Sequence, residues 1–582
     1  MPSSPRPDVS IALAQINSRI GDFAGNSAQI RDAVDAAVAQ VDDASRLLVV
    51  TPELALCGYP PRDLLYDRDF VREALAANQT LASDLHRRHP TGPAVLCGTL
   101  LPAPVESVGQ PHHPGLYDAA VLMHGGTLRA HAEKRLLPVY DVFYEPRWFV
   151  PGPLGEPIDW AGHRLGVLIC EDLWDDDYPI HPANALRSAG ADVLICLSAS
   201  PYRLGVLAQR RAHARRAAAL GIPVIYVNAV GAQDELIFDG GSFAIDTRGR
   251  PALQLPRFGE AVRVCPLDAL VDPPDSLEPP APLEPLEPLD SRAPAAPAVD
   301  MAPEEELLQA LTLGVRDFCR KNGVRRAFVG LSGGIDSALV LCIAVRALGA
   351  DAVTALMLPS RFNDPRSSEQ AQVLCHRLRV ASEQVSIEPL LLACETQLRP
   401  LLGHADDPGK SSDTTVENLQ ARMRALVLMA YVNRHGGILL NTSNKTELAV
   451  GYSTLYGDMA GALGVIADLT KPQVYALCRH INATQRGADG EGPIPAFILD
   501  RPPSAELRPD QVDPFDYPRE SPIIEALAQQ QPVPADAPAN DVARYRRMLR
   551  SAEHKRWQFG IALKVSEHAF GTGRMIPVTR AR

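Results

Sequence analysis

The stretch FVGLSGGIDSALVL, residues 328–341, joins an apolar run to a helical run through a turn of glycine and serine. The run RRAFVGL predicts a buried strand, and SALVLCIAVRALG predicts a helix that ends at Gly349. A strand that enters a helix through such a turn is the start of an α/β unit. Free N–H groups at this helix start favour a phosphate, but the GxxxxGK[ST] pattern of Walker-type NTPases is absent from the sequence.

The chain divides at a proline-rich segment upstream of this stretch. Residues 271–303 read VDPPDSLEPPAPLEPLEPLDSRAPAAPAVDMAP, which can sustain neither a helix nor a sheet ladder. We therefore predict a linker there, between a first domain at residues 7–270 and a second at residues 304–582. In the first domain, runs such as SRLLVVTPE, LGVLICED and IPVIYVNAV alternate with alanine-rich helical stretches. Both domains are thus predicted to be of the α/β class.

Composition restricts the classes of function. The 582 residues carry 57 basic and 69 acidic side chains, a net charge of −12. This balance argues against nucleic acid or an anionic membrane as a partner, since no excess of Lys and Arg is present to neutralise phosphates. We find no apolar run long enough to span a bilayer and no signal peptide, so we expect a cytoplasmic protein. The ten cysteines include no CxxC pair, which indicates core thiols rather than a metal site.

The stretch GVLICEDLWD, residues 166–175, raises a question about cysteine chemistry. Cys170 ends an apolar run, and the carboxylates that follow it should raise the pKa of its thiol. A nucleophilic cysteine here needs a cation and a base from elsewhere, and Lys134 and Glu53 are the candidates. Because neighbouring strand residues point to opposite faces, Glu171 need not face the sulfur. Taken singly, each of these residues is more typical of a core or a solvated surface.

Four segments in order resemble the nitrilase superfamily, namely TPELALCGYPPRDLL, EKRLLPVYDVFYEPRWF, GVLICEDLW and SASPY. The resemblance implies an αββα sandwich in which Glu53 is the general base, Lys134 stabilises the thiolate and the oxyanion, and Cys170 attacks an amide carbon. For the glutaminase branch of that superfamily, it implies a glutamine pocket lined by Tyr140, Glu145, Glu171 and Ser200.

Two positions depart from the pattern of that branch. Ser198 stands where related glutaminase domains usually carry Asn, and Val206 stands where they usually carry Lys or Arg. If that cation holds the glutamine carboxylate, Arg203 is the candidate to replace it.

The SGGIDS turn resembles the pyrophosphate loop of the N-type ATP pyrophosphatases, which cleave ATP to AMP and pyrophosphate while adenylating a substrate. The resemblance implies a doubly wound, Rossmann-like parallel sheet and an Mg²⁺ ion held by Asp336. It implies ATP contacts along the whole turn, at Gly330, Leu331, Ser332, Gly333, Gly334, Ile335, Asp336 and Ser337. Because several amidotransferases and tRNA-modifying enzymes share this loop, the loop alone leaves the substrate open.

Downstream segments narrow the choice, namely PSRF, ENLQARMR, NTSNKTELAVGYSTLYGD, DLTK, RPPSAELRPDQ and SAEHKR. With the first half, this series resembles the glutamine-dependent NAD⁺ synthetases over nearly the whole chain. That family adenylates deamido-NAD⁺ with ATP and lets ammonia from glutamine displace AMP. The resemblance implies that Thr442 and Lys471 contact ATP and that Glu447 completes the Mg²⁺ site. It implies deamido-NAD⁺ contacts from Asn418, Glu447, Asp458, His554 and Lys555.

The second half also departs from its family. Asn441 replaces a glycine that is common before Thr442, and the runs DPFDYPRE and RWQFGIALK differ from the usual ones. We therefore expect a lid of different shape over the dinucleotide.

Two alternatives stay open at this point. Another glutamine-dependent amidotransferase with the same loop would act on a different nucleotide, and a scaffolding protein would keep the first half only as a ligand-binding domain. The acidic balance argues against a tRNA substrate, and the intact Glu53, Lys134 and Cys170 argue against the scaffold. The family resemblance further implies a homo-oligomer, a sealed passage for ammonia and small molecules as the partners.

Overall fold

The computed structural model describes residues 8–104, 106, 112–271, 301–402, 414–487, 490–508 and 511–579. These residues form two compact units, one from the described residues up to 233 and from 237 to 301, the other from 234–236 and from 302 onward. Most of the predicted linker, residues 272–300, lies outside the described residues. None of the described helices is long and apolar enough to cross a membrane.

Two six-stranded sheets form the centre of the first unit. The described strands up to residue 271 are β1 (Ser10–Gln15), β2 (Leu47–Val50), β3 (Ala94–Pro102), β4 (Leu116–His124), β5 (Thr127–Glu133), β6 (Ile158–Trp160), β7 (His163–Ile169), β8 (Val193–Ser198), β9 (Val224–Asn228), β10 (Val230–Gln233), β11 (Leu236–Asp239), β12 (Phe243–Ile245), β13 (Pro251–Gln254) and β14 (Ala261–Pro266). The sheet orders are β14-β1-β2-β3-β4-β5 and β13-β12-β9-β8-β7-β6. Strands β1 to β3 are mutually parallel, as are β7 to β9, so their carboxyl ends meet at one edge of each sheet.

Helices cover the outer faces of these sheets. They are α1 (Phe23–Val38), α2 (Arg68–Arg88), α3 (Pro182–Ser188) and α4 (Val206–Ala218), whereas the short α5 (Asp268–Val271) contributes Leu270 to the core between the sheets. Ile30 of α1 packs in one cluster with Val49 of the first sheet, and Leu186 of α3 packs in another with Leu194 of the second sheet. Apolar side chains from both sheets form a third cluster between them. The layers are therefore helix, sheet, sheet and helix, which confirms the predicted αββα sandwich.

The second unit is built on one parallel sheet. Its strands are β15 (Ala327–Gly330), β16 (Val353–Met357), β17 (Ala381–Gln384), β18 (Ile438–Asn441), β19 (Leu463–Gly464) and β20 (Ile561–Ala562). The order is β17-β16-β15-β18-β19-β20, and every neighbouring pair is parallel. Counted within this unit, the order is 3-2-1-4-5-6, the doubly wound arrangement that was predicted. In such sheets a ligand binds where the order reverses, here between β15 and β18.

The helices of this unit come from segments before, between and after its strands. They are α6 (Pro303–Lys321), α7 (Ile335–Leu348), α8 (Pro365–Leu378), α9 (Glu388–Leu402), α10 (Thr415–His435), α11 (Lys445–Val450), α12 (Lys471–Thr484), α13 (Ala496–Asp500), α14 (Tyr517–Ala528), α15 (Ala539–Ser551) and α16 (Glu553–Arg556). Helix α10 packs on the sheet through Val432, which joins Phe328 and Leu439 in one cluster. Helix α7 ends before Gly349, whose φ of +84° confirms the predicted glycine stop.

Candidate active sites

Glu53, Lys134 and Glu145 meet in the interior of the first unit. Glu53 follows β2, Lys134 follows β5, and Glu145 begins a short 3₁₀ turn. Lys134 Nζ lies 2.6 Å from Glu53 Oε1 and 2.8 Å from Glu145 Oε1. The structure thus joins Glu53 and Lys134, which are 81 positions apart in the chain, in a buried ion pair.

The end of strand β8 links this ion pair to Cys170. The Ala199 N–H donates a hydrogen bond of 2.7 Å to Glu53 Oε2. The preceding residue, Ser198, places its Oγ 3.4 Å from the Cys170 sulfur. Successive residues at one strand end therefore contact the predicted base and the predicted nucleophile, and the three predicted catalytic side chains share one buried site.

Cys170 begins a 3₁₀ turn, Cys170–Leu173, instead of ending the strand. Strand β7 stops at Ile169, and Cys170 has a left-handed backbone with φ of +44°. The buried Asp172 carboxylate holds the turn, because it accepts hydrogen bonds from the N–H of Ile169 at 3.0 Å and from two residues beyond β5. The expectation that strand alternation orients Glu171 is wrong, since residue 171 lies in this turn and not in the strand.

The surroundings of the Cys170 sulfur favour the thiol over the thiolate. Burial raises the pKa of this thiol well above its usual range, and the Glu53 charge raises it further. Lys134 and the Ser198 hydroxyl act in the opposite direction. Ser198 Oγ also lies 2.7 Å from the hydroxyl of the fully buried Tyr226. Lys134 therefore does not create a resting thiolate on its own, and a base must take the proton during attack.

Glu171 accepts hydrogen bonds from two tyrosine hydroxyls. Tyr140 OH lies 3.0 Å from Glu171 Oε2, and Tyr178 OH lies 3.0 Å from Oε1. Burial raises the pKa of Glu171, although Lys134 and the two hydroxyls oppose the shift. Tyr140 is 50% exposed, so this carboxylate lies where the buried cluster meets solvent. A carboxylate in this position suits a cationic group on a ligand.

Glu145 is a second acid in contact with Lys134. The Tyr59 hydroxyl donates a hydrogen bond of 2.9 Å to Glu145 Oε1. Burial raises the pKa of Glu145 to about 7, although the Lys134 charge opposes the shift. The two groups that contact Glu145, the Tyr59 hydroxyl and the Lys134 ammonium group, both belong to the protein. Glu145 therefore acts on the charge and position of Lys134 directly.

Ser200 is held by protein groups as well. Its N–H donates to Asn228 Oδ1 at 3.0 Å, and its Oγ accepts from Arg210 Nε at 3.1 Å. Arg210 is fully buried and lies 2.7 Å from Asp239. This arginine therefore fixes the segment beyond β8 through a buried ion pair.

The departure at Val206 leaves no cation at that position. Val206 is buried at the start of α4, and the half-buried Arg203 donates a hydrogen bond to Gln209 on the same helix. Arg210, one helical turn after Val206, is a buried cation near this position, and the sequence interpretation missed it.

The SGGIDS turn of the second unit runs from β15 into α7. Ser332 Oγ accepts a hydrogen bond of 3.2 Å from the Gly334 N–H and lies 3.2 Å from the Ser337 hydroxyl. Gly333 has φ of +80°, and a Cβ there would stand 2.3 Å from the backbone oxygen of Ser367 in α8. Glycine is required at this position both by the backbone conformation and by the close approach of α8.

A cavity of about 280 Å³ opens beside this turn, where the strand order reverses between β15 and β18. The predicted site residues that line it are Gly330, Leu331, Ser332, Gly334, Ile335, Asp336, Ser337, Thr442, Glu447, Asp458 and Lys471. Polar groups that stand more than a hundred positions apart in the chain thus converge on one pocket at the carboxyl end of a parallel sheet.

Asp336 and Glu447 both contact Lys471 in this cavity. Lys471 Nζ is 2.5 Å from Asp336 Oδ2 and 3.3 Å from Glu447 Oε1. Burial alone would lower the pKa of Lys471, but the two carboxylates raise it above its usual range. Burial raises the pKa of Glu447 to about 8, although Lys471 opposes the shift. Asn444 contacts both residues, since its side-chain amide donates to Asp336 Oδ1 and its side-chain oxygen accepts from the backbone N–H of Glu447, each at 3.0 Å.

Comparison with known proteins identifies both halves. A family model described as NAD synthase matches residues 307–558, and one described as carbon-nitrogen hydrolase matches residues 10–272. A glutamine-dependent NAD(+) synthetase of Synechocystis is 38% identical over 98% of each chain, and so is one of Rhodobacter capsulatus. The chain belongs to the glutamine-dependent NAD(+) synthetases. As a member of that family it is an enzyme of the ligase class.

Solved structures of this synthetase family agree with the fold. A glutamine-dependent NAD⁺ synthetase from Acinetobacter baumannii, solved in complex with ADP, is 30% identical with a TM-score of 0.72 and 98% coverage of each chain. One from Cytophaga hutchinsonii has a TM-score of 0.78 over 99% of this chain and 98% of its own. The latter is 18% identical and supports the fold alone.

Asp336 and Glu447 fit an Mg²⁺ ion in this synthetase. Carboxylate oxygens are the ligands that Mg²⁺ prefers, and both acids line a cavity that begins at a phosphate-type turn. An ammonium group already lies between the two carboxylates, so their oxygens are arranged around a position that suits a cation.

Three of the residues predicted to contact the dinucleotide are not among the described residues that line the cavity. Asn418 accepts a hydrogen bond of 2.7 Å from the Thr454 hydroxyl. Lys555 donates to the carbonyls of Gly451 and Ser453 at 2.7 and 2.6 Å. His554 is exposed and contacts a carbonyl of its own helix region. Lys555 therefore fixes the segment that leads to Asp458 in this state of the synthetase.

The sequence interpretation assigned no role to several cavity residues of the synthetase unit. Arg424 lines the cavity, donates to the Leu358 carbonyl at 3.0 Å, and has its pKa lowered to about 10 by burial. Glu506 lies 2.7 Å from Arg501 and accepts a hydrogen bond of 2.8 Å from Ser367. Both positions fall in segments quoted for the resemblance, ENLQARMR and RPPSAELRPDQ, but only spatial contacts show what each one binds.

Proposed function

We propose that the first unit releases ammonia from glutamine at Cys170, and that the second unit uses it to convert ATP-activated deamido-NAD⁺ into NAD⁺. Family membership supports the overall reaction. The observation that carries the assignment of residues is the strand end at Ser198 and Ala199, which contacts the nucleophile and the base in one buried site.

Glu53 acts as the general base in this proposal. It takes the proton of the Cys170 thiol as the sulfur attacks the amide carbon, so that an S–H bond breaks while an S–C bond forms. Lys134 stabilises the negative charge that develops on the amide oxygen. When the C–N bond breaks, Glu53 returns the proton to the departing ammonia. Glu53 then deprotonates a water molecule, which hydrolyses the thioester to glutamate and regenerates the thiol.

Glu171 binds the α-ammonium group of glutamine. Its two tyrosine partners, Tyr140 and Tyr178, hold the carboxylate at the boundary of the site. Glu145 and Ser200 act through their protein partners, Lys134 and Arg210 respectively. A contact of Arg203 with the glutamine carboxylate stays a prediction.

The second unit binds ATP at the SGGIDS turn, whose N–H groups and helix start favour the pyrophosphate. Lys471 and Thr442 line the same cavity and contact the nucleotide. Asp336 and Glu447 would hold Mg²⁺, which supplies positive charge to the phosphates when bound. Asp458 and Glu447 are the cavity residues assigned to deamido-NAD⁺, while contacts from Asn418, His554 and Lys555 stay predictions.

We further propose domain boundaries at residues 7–270 and 304–582 with a linker at 271–303, a homo-oligomer, and work in the cytoplasm. The matches at residues 10–272 and 307–558 support the boundaries. The ten cysteines are all free thiols, which supports a reducing compartment.

Replacing Cys170 by alanine tests whether ammonia release lies in the first unit and NAD⁺ formation in the second. We expect Cys170→Ala to lose at least about a thousandfold of glutamine-driven NAD⁺ formation while synthesis from ammonium persists, since adenylation lies in the other unit. Cys196→Ala, at another buried cysteine of the same sheet, is the matched control and should retain glutamine-driven synthesis. Persistence of glutamine-driven synthesis in Cys170→Ala, or loss of the ammonium reaction in a folded variant, would contradict the proposal.

A further inference from the structure

Asp118 is a third carboxyl group in the cluster around Lys134. Strand β4 carries it into the interior, where it is 1% exposed. One oxygen each of Glu53, Asp118 and Glu145 lie within 4.8 Å of one another. The resemblance to nitrilases assigned no role to this residue.

The charges of this cluster do not balance if all three acids are ionised. Lys134 is the cation among them, and it lies within hydrogen-bond distance of Glu53 and Glu145 only. Its Nζ is 3.7 Å from Asp118 Oδ2, too far for a hydrogen bond. A fully ionised cluster would therefore bury two uncompensated negative charges, which is costly among side chains that are this deeply buried.

Asp118 also lacks a donor. Neither of its carboxyl oxygens receives a hydrogen bond from any group in the part of the chain that the structure describes. An ionised carboxylate buried without donors is strongly disfavoured, whereas a protonated carboxyl becomes a donor itself and needs only an acceptor nearby. A carboxylate oxygen of Glu53 lies within 4.8 Å of Asp118, so Glu53 is an acceptor available to a protonated Asp118.

The groups that face Asp118 come from three segments. Glu53 and Cys57 follow β2, Lys134 follows β5, and Glu145 begins the turn at residues 145–147. Burial raises the pKa of Asp118 well above its usual range, and the charge of Glu53 raises it further, while Lys134 opposes the shift. Because Lys134 is shared between two other acids, the raising effects prevail.

We propose that Asp118 is a positioning residue of the glutaminase reaction, which stays protonated and donates its hydrogen to Glu53. This inference rests on the proposed role of Glu53 as the base. The hydrogen bond fixes the orientation of the Glu53 oxygen that receives the Cys170 proton. Asp118 itself gives up no proton during the reaction.

A neutral side chain of the same shape that donates a hydrogen bond should therefore support the reaction in place of Asp118. Asp118→Asn keeps a donor toward Glu53 and an oxygen toward Lys134, whereas Asp118→Leu removes both. In the full-length chain we expect Asp118→Leu to lose about a hundredfold or more in kcat/KM for glutamate release. We expect Asp118→Asn to restore activity to within about threefold of the native chain and to leave the acid limb of the pH profile in place.

The acid limb of the pH profile of glutamate release distinguishes a protonated Asp118 from an ionised one. If Asp118 were charged, its replacement by neutral Asn would remove a negative neighbour of Glu53 and move the acid limb to lower pH by about one unit or more. An infrared band of a protonated carboxyl, present in the native chain and lost in Asp118→Asn, would support the proposal. A lower acid limb, the absence of that band, or an Asn variant as inactive as the Leu variant would each overturn it.

The variant Glu53→Gln shows whether the proposed role of Glu53 as the base fails, separately from the proposal for Asp118. If Glu53→Gln retains glutamate release, the role of Glu53 as the base is wrong and the proposal for Asp118 falls with it. If Glu53→Gln is inactive and Asp118→Asn behaves like Asp118→Leu, only the proposal for Asp118 fails. Ammonium-driven NAD⁺ formation in each variant reports that the second unit remains folded.

Discussion

Ser198 connects the Cys170 sulfur with the buried Tyr226 hydroxyl through two contacts in series. A hydroxyl that donates to sulfur stabilises the thiolate more than the thiol and therefore lowers the pKa of the thiol. This contribution matters here because Lys134 is engaged by acids, so its positive charge is already largely compensated. Ser198 thus supplies part of the stabilisation that a free lysine would give.

We expect Ser198→Ala to raise the pKa of the Cys170 thiol and to slow its alkylation by iodoacetamide about tenfold at pH 8. A hydrogen bond to a charged group contributes about 1.5–3 kcal/mol, and the lower figure corresponds to a factor of about ten. Tyr226→Phe leaves Ser198 in place and should give a smaller change in the same direction. Alkylation rates measured against pH check this, and a profile identical to that of the native chain would show that Ser198 does not donate to the sulfur.

Glu145 makes the stability of the first unit depend on pH. Its pKa rises from about 4.5 when unfolded to about 7 when folded, so the folded state prefers the protonated acid. The resulting stabilisation is complete below pH 4.5 and is lost as the pH rises through 7. Glu145→Gln lacks this titratable group. As the pH rises from 4.5 to 7, we expect its unfolding free energy to increase relative to that of the native chain by up to about 3 kcal/mol.

Urea unfolding at pH 5 and pH 8 measures this difference. Glu156→Gln removes an exposed carboxylate in the same unit and serves as the control, for which we expect no pH-dependent gain. Equal differences between Glu145→Gln and the native chain at both pH values would show that burial does not raise the pKa of Glu145.

Single residues were predictable where they belong to an ordered series of segments. Glu53, Lys134 and Cys170 are of this kind, and the structure places them in one site. Asp118 and Arg210 could not be found in this way, because neither lies in those segments and each owes its environment to partners on other elements of the fold. An acid within a strand or an arginine within a helix carries no local signal that it will be buried.

At the scale of elements, the turn from β15 into α7 depends on Gly333. We expect Gly333→Ala to reduce ATP-dependent NAD⁺ formation from ammonium at least about a hundredfold, because a Cβ 2.3 Å from the Ser367 oxygen must displace α8 or the turn. Glutamate release in the other unit should continue.

Gly323→Ala is the matched control for that substitution. Gly323 also has a positive φ, +67°, but no atom lies within 4 Å of a Cβ built there. It therefore tests backbone strain without crowding, and we expect it to retain most of the synthetase activity. Equal losses in both variants would mean that strain, and not contact with α8, explains the effect. Initial rates of NAD⁺ formation at saturating ammonium make the comparison.

Strands and helices were predictable wherever apolar periodicity decides the structure. The runs that became β2, β7, β9, β15 and α7 were predicted correctly, because their side chains are buried in a regular pattern. The exception is the end of β7, where the Asp172 carboxylate accepts backbone hydrogen bonds and turns the chain after Ile169. A hydrogen bond from a side chain to distant backbone overrides the local pattern, and periodicity does not reveal it.

At the scale of the whole molecule, each unit carries its own site. Sequence patterns predicted an α/β sheet in the second half, but the doubly wound order came from family resemblance and not from periodicity. That order decides which strand ends meet, and it brings the segments after β15 and β18 to one cavity. Long-range pairing of strands leaves no periodic signal within any single segment.

The family's link between the two reactions can be tested through the fate of ammonia. Ammonia released to solvent at neutral pH is mostly ammonium, which is not a nucleophile, so efficient use requires transfer without release. We expect the native chain to form NAD⁺ from glutamine at a rate that changes less than about twofold when an ammonia-consuming enzyme is added in excess. A mixture of Cys170→Ala and Asp336→Asn, each lacking one activity, is the control and should lose its synthesis under the same trap. A native chain that is inhibited as strongly as the mixture would show that ammonia passes through solvent.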